Sequence, residues 1–460
     1  MDQKDSILQD TVMENYNPHH QEVLSDYLPD TDEERKLVRK IDLYLLPAIW
    51  FMYLLSYMDR TNIGNAKTAG MAEDLKLDSD KYSIALIVFF VFYVICEVPS
   101  NMILSRTKPS IFLPAIMFLW GCVTIAMGWV PNYQSLVGLR IVVGVLEAGF
   151  APGVLLVLSS WYKPNEQAKR FGVYISAAIL SGAFGGIIAG AIESNLDGAH
   201  GLPGWRWLFI VEGAATAGVS IIASFVLLDF PENTKRLSEK ERELAIKRIR
   251  WARPVLGEEK MGHRRALWCS VTNWRTWILV VGYMSVVGSS TLSYFYPTLV
   301  EGLGYHGADV QYMTVPIYGT AFVCTAISSV VMDRLPQWRG FALGCWMTLA
   351  MVCAIAICAV YDFHARYALL VIMASGLWVS NALTLAFAST TFGSMNHEVK
   401  GISLAIVNAM GNLAQIYGSF LFPAEDAPKY LMGFGVISGL CFTGVVAYFA
   451  MHYLFRRHPN

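Results

Sequence analysis

Residues 134–158 read QSLVGLRIVVGVLEAGFAPGVLLVL, an apolar segment that carries two charged side chains, Arg140 and Glu147. A helix of this length can cross a hydrocarbon core about 30 Å thick. The two charges are seven residues apart, so they share one face of the helix, about 10.5 Å apart along its axis. Charge is costly inside a membrane, which favours a functional surface facing a cavity. The alternative is an ion pair that only joins helices.

Apolar segments of this kind recur along the whole chain. Of its 460 residues, 55% are apolar and 15% are charged, whereas soluble domains carry about 25% charged residues. The apolar residues cluster in runs of roughly 20, the length of a membrane span. We therefore predict an all-α membrane protein with twelve transmembrane helices. The predicted spans are 42–69, 82–104, 110–130, 134–158, 169–194, 206–228, 275–299, 311–332, 340–361, 366–389, 400–422 and 430–454.

The distribution of Lys and Arg predicts the orientation of these spans. With the N-terminus in the cytosol, 27 basic residues lie on the cytosolic side and seven on the other. The positive-inside rule then places both termini in the cytosol. We expect the plasma membrane as the location.

A polar segment between the sixth and seventh spans divides the chain in two. In it, Ser238 and Glu241 form a capping box ahead of EKERELAIKRIRWA, which predicts a short helix. The predicted organisation is a disordered cytosolic tail (1–40), an N-terminal six-helix bundle (41–229), a cytosolic linker (230–274), a C-terminal six-helix bundle (275–455) and a short cytosolic tail (456–460).

The two halves share a weak loop motif. Residues 101–106 read NMILSR and residues 329–334 read SVVMDR, and both resemble the Gly-x-x-x-Asp-Arg loop of the facilitator superfamily. The corresponding positions in the two halves support parallel duplication and predict the major facilitator fold. We assign gating or structural roles to Arg106, Asp333 and Arg334, and to Glu97 near the inner end of the second span.

Other classes of function are not supported by the sequence. The net charge of −1 offers no basic surface for nucleic acid. The eight cysteines show no metal-ligand spacing, and no nucleophile–base pair is visible. We therefore expect no cofactor, no metal and no enzymatic activity, in a monomer surrounded by the lipid bilayer.

Several segments together resemble the anion:cation symporter family, and within it the fungal allantoate, nicotinate and pantothenate permease-like transporters. These segments are SYMDRTNIGNAKTAGM (56–71), EVPSNMILSR (97–106), RIVVGVLEAGFAPGV (140–154), WYKPNEQAKRFG (161–172), GWRWLFIVEG (204–213), DFPENTKRLSEKEREL (229–244), GNLAQIYGSFLF (411–422) and DAPKY (426–430). The resemblance implies proton-coupled uptake of a small organic anion. It also implies that Asp59 and Glu147 are proton-coupling acids, that Arg60 and Arg140 bind the substrate carboxylate, and that Tyr57 lines the cavity.

Polar residues of the second half are further candidates for substrate contact, although each is also consistent with hydrogen bonding between helices. They are Tyr294, Tyr296, Asn381, Asn408, Asn412 and Gln415, of which we select Tyr296, Asn408 and Asn412 as the predicted substrate ligands. The sequence does not assign a role to Glu212 in the sixth span.

Two other functions remain open at this stage. One is export of a metabolite by proton antiport. The fifth span contains LSGAFGGIIAGAI without the Gly-Pro of drug antiporters, which favours import. The other is a nutrient receptor that does not transport.

Overall fold

The computed structural model describes most of the chain, and the described part is mainly helical. The described residues are 31–104, 106–252, 263–392 and 397–457, together with Tyr27, Pro29 and Met395. Within them the backbone forms α-helices joined by short turns, and no β-strand occurs.

Seven helices form the first half. They are α1 Asp32–Ala66, α2 Ser79–Leu104, α3 Pro109–Met127, α4 Tyr133–Glu147, α5 Phe150–Trp161, α6 Pro164–Leu196 and α7 Gly204–Val226. Helices α4 and α5 together make one span, Tyr133–Trp161. A π-helical turn, Lys67–Met71, extends α1 to Asp74.

Two linker helices and eight further helices follow. They are α8 Glu239–Ala252, α9 His263–Thr272, α10 Trp274–Ser290, α11 Tyr296–Gly302, α12 Ala308–Tyr312, α13 Val315–Arg334, α14 Arg339–Ala359, α15 Phe363–Thr391, α16 His397–Gly418 and α17 Leu431–Arg457. Helices α10 and α11 form one span, as do α12 and α13.

The twelve predicted spans correspond to helices in the structure. In the described part of the chain, 11 helical segments are long and apolar enough to cross a membrane. The remaining predicted span, 400–422, falls on α16, which has 22 residues.

The first helix begins earlier than we predicted, at Asp32 instead of Ile41. Thr31 caps it by accepting a hydrogen bond from the Glu34 amide, and three acidic residues occupy its first turn. Both features stabilise a helix N-terminus. Residues 32–40 are therefore helical, while residues 1–26 of the predicted tail lie outside the described part of the chain.

The linker packs against the first half through buried charges. Arg248 of α8 is fully buried; its guanidinium donates to Glu34 of α1 at 2.9 Å and to Glu166 of α6 at 2.5 Å. It also donates to the backbone oxygen of Trp161. We call this end of the molecule the linker end and the opposite end the distal end.

The predicted capping box of α8 is present. The Ser238 amide donates to Glu241, whose own amide donates to the Ser238 hydroxyl. Hydrogen bonds from Lys40 and from the Ser238 amide hold the pKa of Glu241 below its usual range. The linker also contains α9, a helix that we did not predict, in which Ser270 donates to the Val399 carbonyl of α16. Each half of the molecule therefore has its own linker helix.

The two halves are packed in corresponding ways and meet along two pairs of helices, α6 with α13 and α2 with α16. In the first pair, a side chain at Gly182 would collide with the ring of Tyr318, and one at Gly186 with Thr314. Small residues at this spacing allow close approach of membrane helices. The glycine stripe of α6 is thus part of the interface between the halves.

Hydrogen bonds close the distal end between the two halves. Tyr82 donates to the Tyr294 carbonyl at 3.1 Å, and Ser83 donates to the Ser419 carbonyl at 2.7 Å. The Gln311 amide group donates to Asn65 and Thr68 at the distal part of α1. These contacts join α1 and α2 of the first half to the second half.

Candidate functional site

The most buried ion pair of the membrane region joins α1 to α4. Arg60 Nε donates to Glu147 Oε1 at 2.6 Å, and the Ser56 hydroxyl donates to the same oxygen at 2.6 Å. Glu147 has no exposed surface and Arg60 is 6% exposed. Among the described residues, Glu147 Oε2 and Arg60 Nη2 have no hydrogen-bond partner. The pair therefore keeps one acceptor and one donor unused.

Arg140 lies on the same helix as Glu147, as predicted, but it does not bind that carboxylate. Its Nε donates to the Ala85 carbonyl of α2 at 3.3 Å, and its Cζ lies 4.7 Å from the centre of the Phe89 ring. The side chain is 2% exposed. Arg60 Cζ is 5.7 Å from the same ring, so one aromatic ring lies near both arginines.

Gly144, between the two charges of α4, brings α2 close to α4. A Cβ at this position would lie 2.6 Å from the Phe89 carbonyl oxygen. The glycine is therefore needed for the contact between α2 and α4, which brings Ala85 and Phe89 to Arg140.

Aromatic side chains surround the Arg60 guanidinium. Its Cζ lies 4.6 Å from the centre of the Tyr93 ring and 5.1 Å from that of Tyr57. Aromatic faces attract cations, more strongly where water is excluded. Tyr57, which was predicted to line the cavity, is one of the rings beside Arg60.

Asp59 faces a different side of α1. Its Oδ2 accepts hydrogen bonds from Trp120 Nε1 of α3 and from the Thr216 hydroxyl of α7, both at 3.0 Å. Successive helical residues point in directions about 100° apart, which separates Asp59 from Arg60. The two predicted proton-coupling acids, Asp59 and Glu147, thus have different partners on different helices.

The predicted ligands of the second half are divided between two places. Tyr296 is buried beside Tyr318, with ring centres 5.3 Å apart, and no described contact joins it to Arg60 or Glu147. Asn412 accepts a hydrogen bond from Gln415, which in turn accepts one from the Tyr294 hydroxyl. Asn408 is half-buried one turn earlier on α16.

Tyr294, rather than Tyr296, links the second half to the region of the charges. Its ring centre is 5.6 Å from that of Phe90 on α2, next to the Phe89 that both arginines approach. The carbonyl of Tyr294 also accepts the Tyr82 hydrogen bond at the distal closure.

The predicted gating residues occupy the linker end. Asp333 pairs with Arg339 at 3.0 Å, across the turn between α13 and α14, while Arg334 is exposed. Arg106 is exposed in the turn after α2. Glu97 is half-buried on α2, one turn beyond Tyr93.

Several contacting residues had no recognisable signal in the sequence. Ser56, Tyr93 and Phe89 lie within apolar spans, where a hydroxyl or an aromatic ring is ordinary. Trp120 and Thr216 are separated from Asp59 by many residues and become its partners only through helix packing. Trp120 is the exception among these residues. Its indole N–H lies in a predicted membrane span and therefore required a hydrogen-bond partner.

The arrangement provides groups that can recognise charge. Among the described residues, no group of three His, Cys, Asp or Glu side chains is placed to hold a metal ion. Buried arginine with an unused N–H can bind an anion, and a buried carboxyl can exchange a proton. Two helical bundles around such charges define a membrane transporter.

The chain belongs to the Major Facilitator Superfamily, whose family model matches residues 49–419. Its fold and its relatives are those of transporters and not of enzymes.

Its relatives include fungal transporters, which the chain matches along most of their length. The chain is 35% identical over 444 residues to the MFS transporter prlL of Fungal sp., covering 93% of this chain and 88% of the relative. It is 29% identical over 410 residues to the high-affinity nicotinic acid transporter of Saccharomyces cerevisiae, covering 89% of this chain and 75% of the relative.

Solved structures share the fold at low sequence identity. A bacterial homologue of the human lysosomal transporter Spinster, in an inward-facing and unoccupied conformation, superposes with a TM-score of 0.71 at 16% identity, covering 91% of this chain and 98% of that one. The structure of the proton:xylose symporter XylE superposes with a TM-score of 0.69 at 14% identity, covering 90% of this chain and 95% of that one.

Proposed function

We propose that this protein imports a small organic anion together with a proton, by alternating access. The observation that supports this most directly is the buried Arg60–Glu147 pair with its unused donor and acceptor. Protonation of Glu147 removes the negative charge beside Arg60. The guanidinium is then free to bind a substrate carboxylate, for which its planar donors are well suited.

The same pair explains why proton and anion would move together. With Glu147 charged, Arg60 is neutralised and a second carboxylate nearby is repelled. With Glu147 protonated, binding of the anion restores a neutral cluster. The empty state and the state with both proton and anion bound therefore leave no unpaired charge beside Arg60, whereas binding of either one alone would cost at least several kcal/mol.

The proposal assigns the chain to the anion:cation symporter family that its motifs resemble. The nicotinic acid transporter among its relatives is consistent with a carboxylate substrate. The tyrosine and phenylalanine rings around Arg60 favour a carboxylate whose remaining part is flat and apolar. We select Arg60, Arg140 and Tyr57 as its first contacts, with Asn408 and Asn412 opposite.

Uptake by purified protein in proteoliposomes tests this function. A panel of labelled carboxylates that includes nicotinic acid is compared with the neutral amide of each acid, with and without an acidic exterior. We expect the acids to accumulate in a manner that depends on the pH gradient, and the amides not to. Accumulation driven by an acidic interior would instead indicate an antiporter, and the absence of any flux would indicate a receptor.

We further propose that the linker end faces the cytosol, in a monomer of the plasma membrane. The basic residues concentrated at that end support this orientation. Epitope tags at residue 10 and after residue 460 should be inaccessible to antibodies on intact cells and accessible after permeabilisation. Staining of either tag on intact cells contradicts the orientation.

A further inference from the structure

Glu212 is a buried acid for which the mechanism above has no role. It lies on α7, is 1% exposed, and neither of its carboxyl oxygens has a hydrogen-bond partner among the described residues. Among the described residues, an ionised carboxylate at this buried position has no compensating donor. Burying an unpaired charge is costly in a protein interior.

Asp59 is a second buried acid, and it is hydrogen-bonded to the helix that carries Glu212. Thr216, one helical turn after Glu212 on α7, donates to Asp59 Oδ2, while Asp59 Oδ1 has no partner. Residues four apart on a helix are neighbours on one face, with Cβ atoms about 5–6 Å apart. We call these two acids the carboxyl pair.

Among the described residues, no cation is hydrogen-bonded to Glu212, and Lys67 of the π-helical turn that contacts α7 lies over the Tyr82 ring instead. Helix α3 contains no Asp, Glu, Lys, Arg or His, and the charged residues of α6 lie near its two ends. On α7 itself, Arg206 pairs with Asp74 at the distal end. Arg60, beside Asp59 on α1, binds Glu147 instead.

The end of α1 beside α7 is irregular. Helix α7 contacts the π-helical turn Lys67–Met71, in which Ala69 and Gly70 depart from helical geometry. Single π turns within helices are frequent at functional sites. The π turn lies between the carboxyl pair and the distal end, the side from which a proton would enter in an importer.

We propose that Asp59 and Glu212 form a second proton-binding site, between α1 and α7, that exchanges a proton with water during the transport cycle. This inference rests on the proton-coupled transport proposed above. Two neighbouring carboxylates in a dry site share at least one proton, because both cannot be charged at once. The proton forms an O–H bond to one carboxyl and leaves as a hydrated proton when the site opens.

Infrared spectroscopy of the purified protein in lipid nanodiscs tests the site without a substrate. We expect a protonated-carboxyl band that disappears as the pH is raised and that is absent in Glu212→Gln. In Asp59→Asn the band should persist, with its midpoint at a pH lower by about one unit or more, because a neighbouring negative charge has been removed. Glu73→Gln, which changes an exposed glutamate of the distal end, is the matched control.

A Glu212 band that never titrates would overturn the proposal, since it would show a permanently neutral structural group. A spectrum that is identical in Glu212→Gln and wild type would overturn it as well. If Glu212→Gln does not fold, two other variants test the proposal. The pH midpoint of the band should shift in Asp59→Asn, and the band should be displaced in Glu212→Asp. Wild-type uptake measured in parallel separates the two proposals, because a titrating band without gradient-driven uptake rejects the proposed function but leaves the proton site intact.

Discussion

Arg60 of the first span and Glu147 of the fourth are joined by a hydrogen bond of 2.6 Å in the interior of the first half. The bond places a fixed positive charge and a proton-accepting group next to each other. Substitutions that separate these two properties therefore distinguish substrate binding from proton coupling.

Glu147→Gln should abolish accumulation while exchange continues. The amide keeps an oxygen that accepts from Ser56 and Arg60, but it holds the site in the neutral state. A carrier that cannot release its proton should lose uptake driven by a pH gradient and retain counterflow of internal for external substrate. Glu239→Gln, at an exposed position of α8, is the control. Accumulation with unchanged pH dependence would show that Glu147 is structural.

Arg140→Lys should weaken transport strongly even though the positive charge is kept. An ammonium group cannot reproduce the planar guanidinium that donates to Ala85 and contacts the Phe89 ring. Loss of one charge-assisted hydrogen bond costs about 1.5–3 kcal/mol, which corresponds to roughly 10–150-fold in affinity.

The concentration dependence of uptake checks this prediction. Arg250→Lys, at an exposed position of the linker helix α8, is the matched control. A wild-type affinity in correctly localised Arg140→Lys protein would remove Arg140 from the substrate site.

Cross-linking of Ser83→Cys to Ser419→Cys should stop transport. The Ser83 hydroxyl is 2.7 Å from the Ser419 carbonyl, at the closure between the two halves. Alternating access requires this contact to separate, so a short thiol cross-link between the two positions should trap the distal end closed. Uptake should return on reduction and should remain normal in each single variant. Transport by the fully cross-linked protein would be inconsistent with opening at this end.

Arg248→Met should destabilise the protein more than any exposed substitution on the same helix. The change leaves Glu34 and Glu166 without the cation that binds both. Removing one partner of a buried ion pair costs up to about 3–5 kcal/mol, and here Lys163 still pairs with Glu34. Thermal unfolding of the detergent-solubilised protein measures the effect, with Lys240→Met at an exposed position as control. Equal unfolding temperatures would mean that the linker does not stabilise the first half.

The linker illustrates what could be predicted and what could not. The capping box of α8 was recognisable because Ser238 and Glu241 interact locally, within one turn. The buried position of Glu34 could not be foreseen. It depends on Arg248, which is more than 200 residues away in the sequence and reaches Glu34 only after α8 packs on the bundle.

The partners of the buried charges show the same limit. Helical periodicity places Arg140 and Glu147 on one face of α4, yet Glu147 pairs with Arg60 of α1. Sequence adjacency groups Asp59 with Arg60, whereas the helical rotation between them directs Asp59 towards Trp120 and Thr216. Glu212 acquires a neighbour only through the same packing.

The sequence by itself determined the class of protein, the number and position of the membrane segments, and which ionisable side chains lie within them. These follow from hydrophobic length, charge distribution and local caps, all of which act over one span or less. The tertiary structure decided which charge meets which, where the two halves touch, and which acids are left without a partner. Those outcomes depend on contacts between helices distant in sequence, which no local pattern encodes.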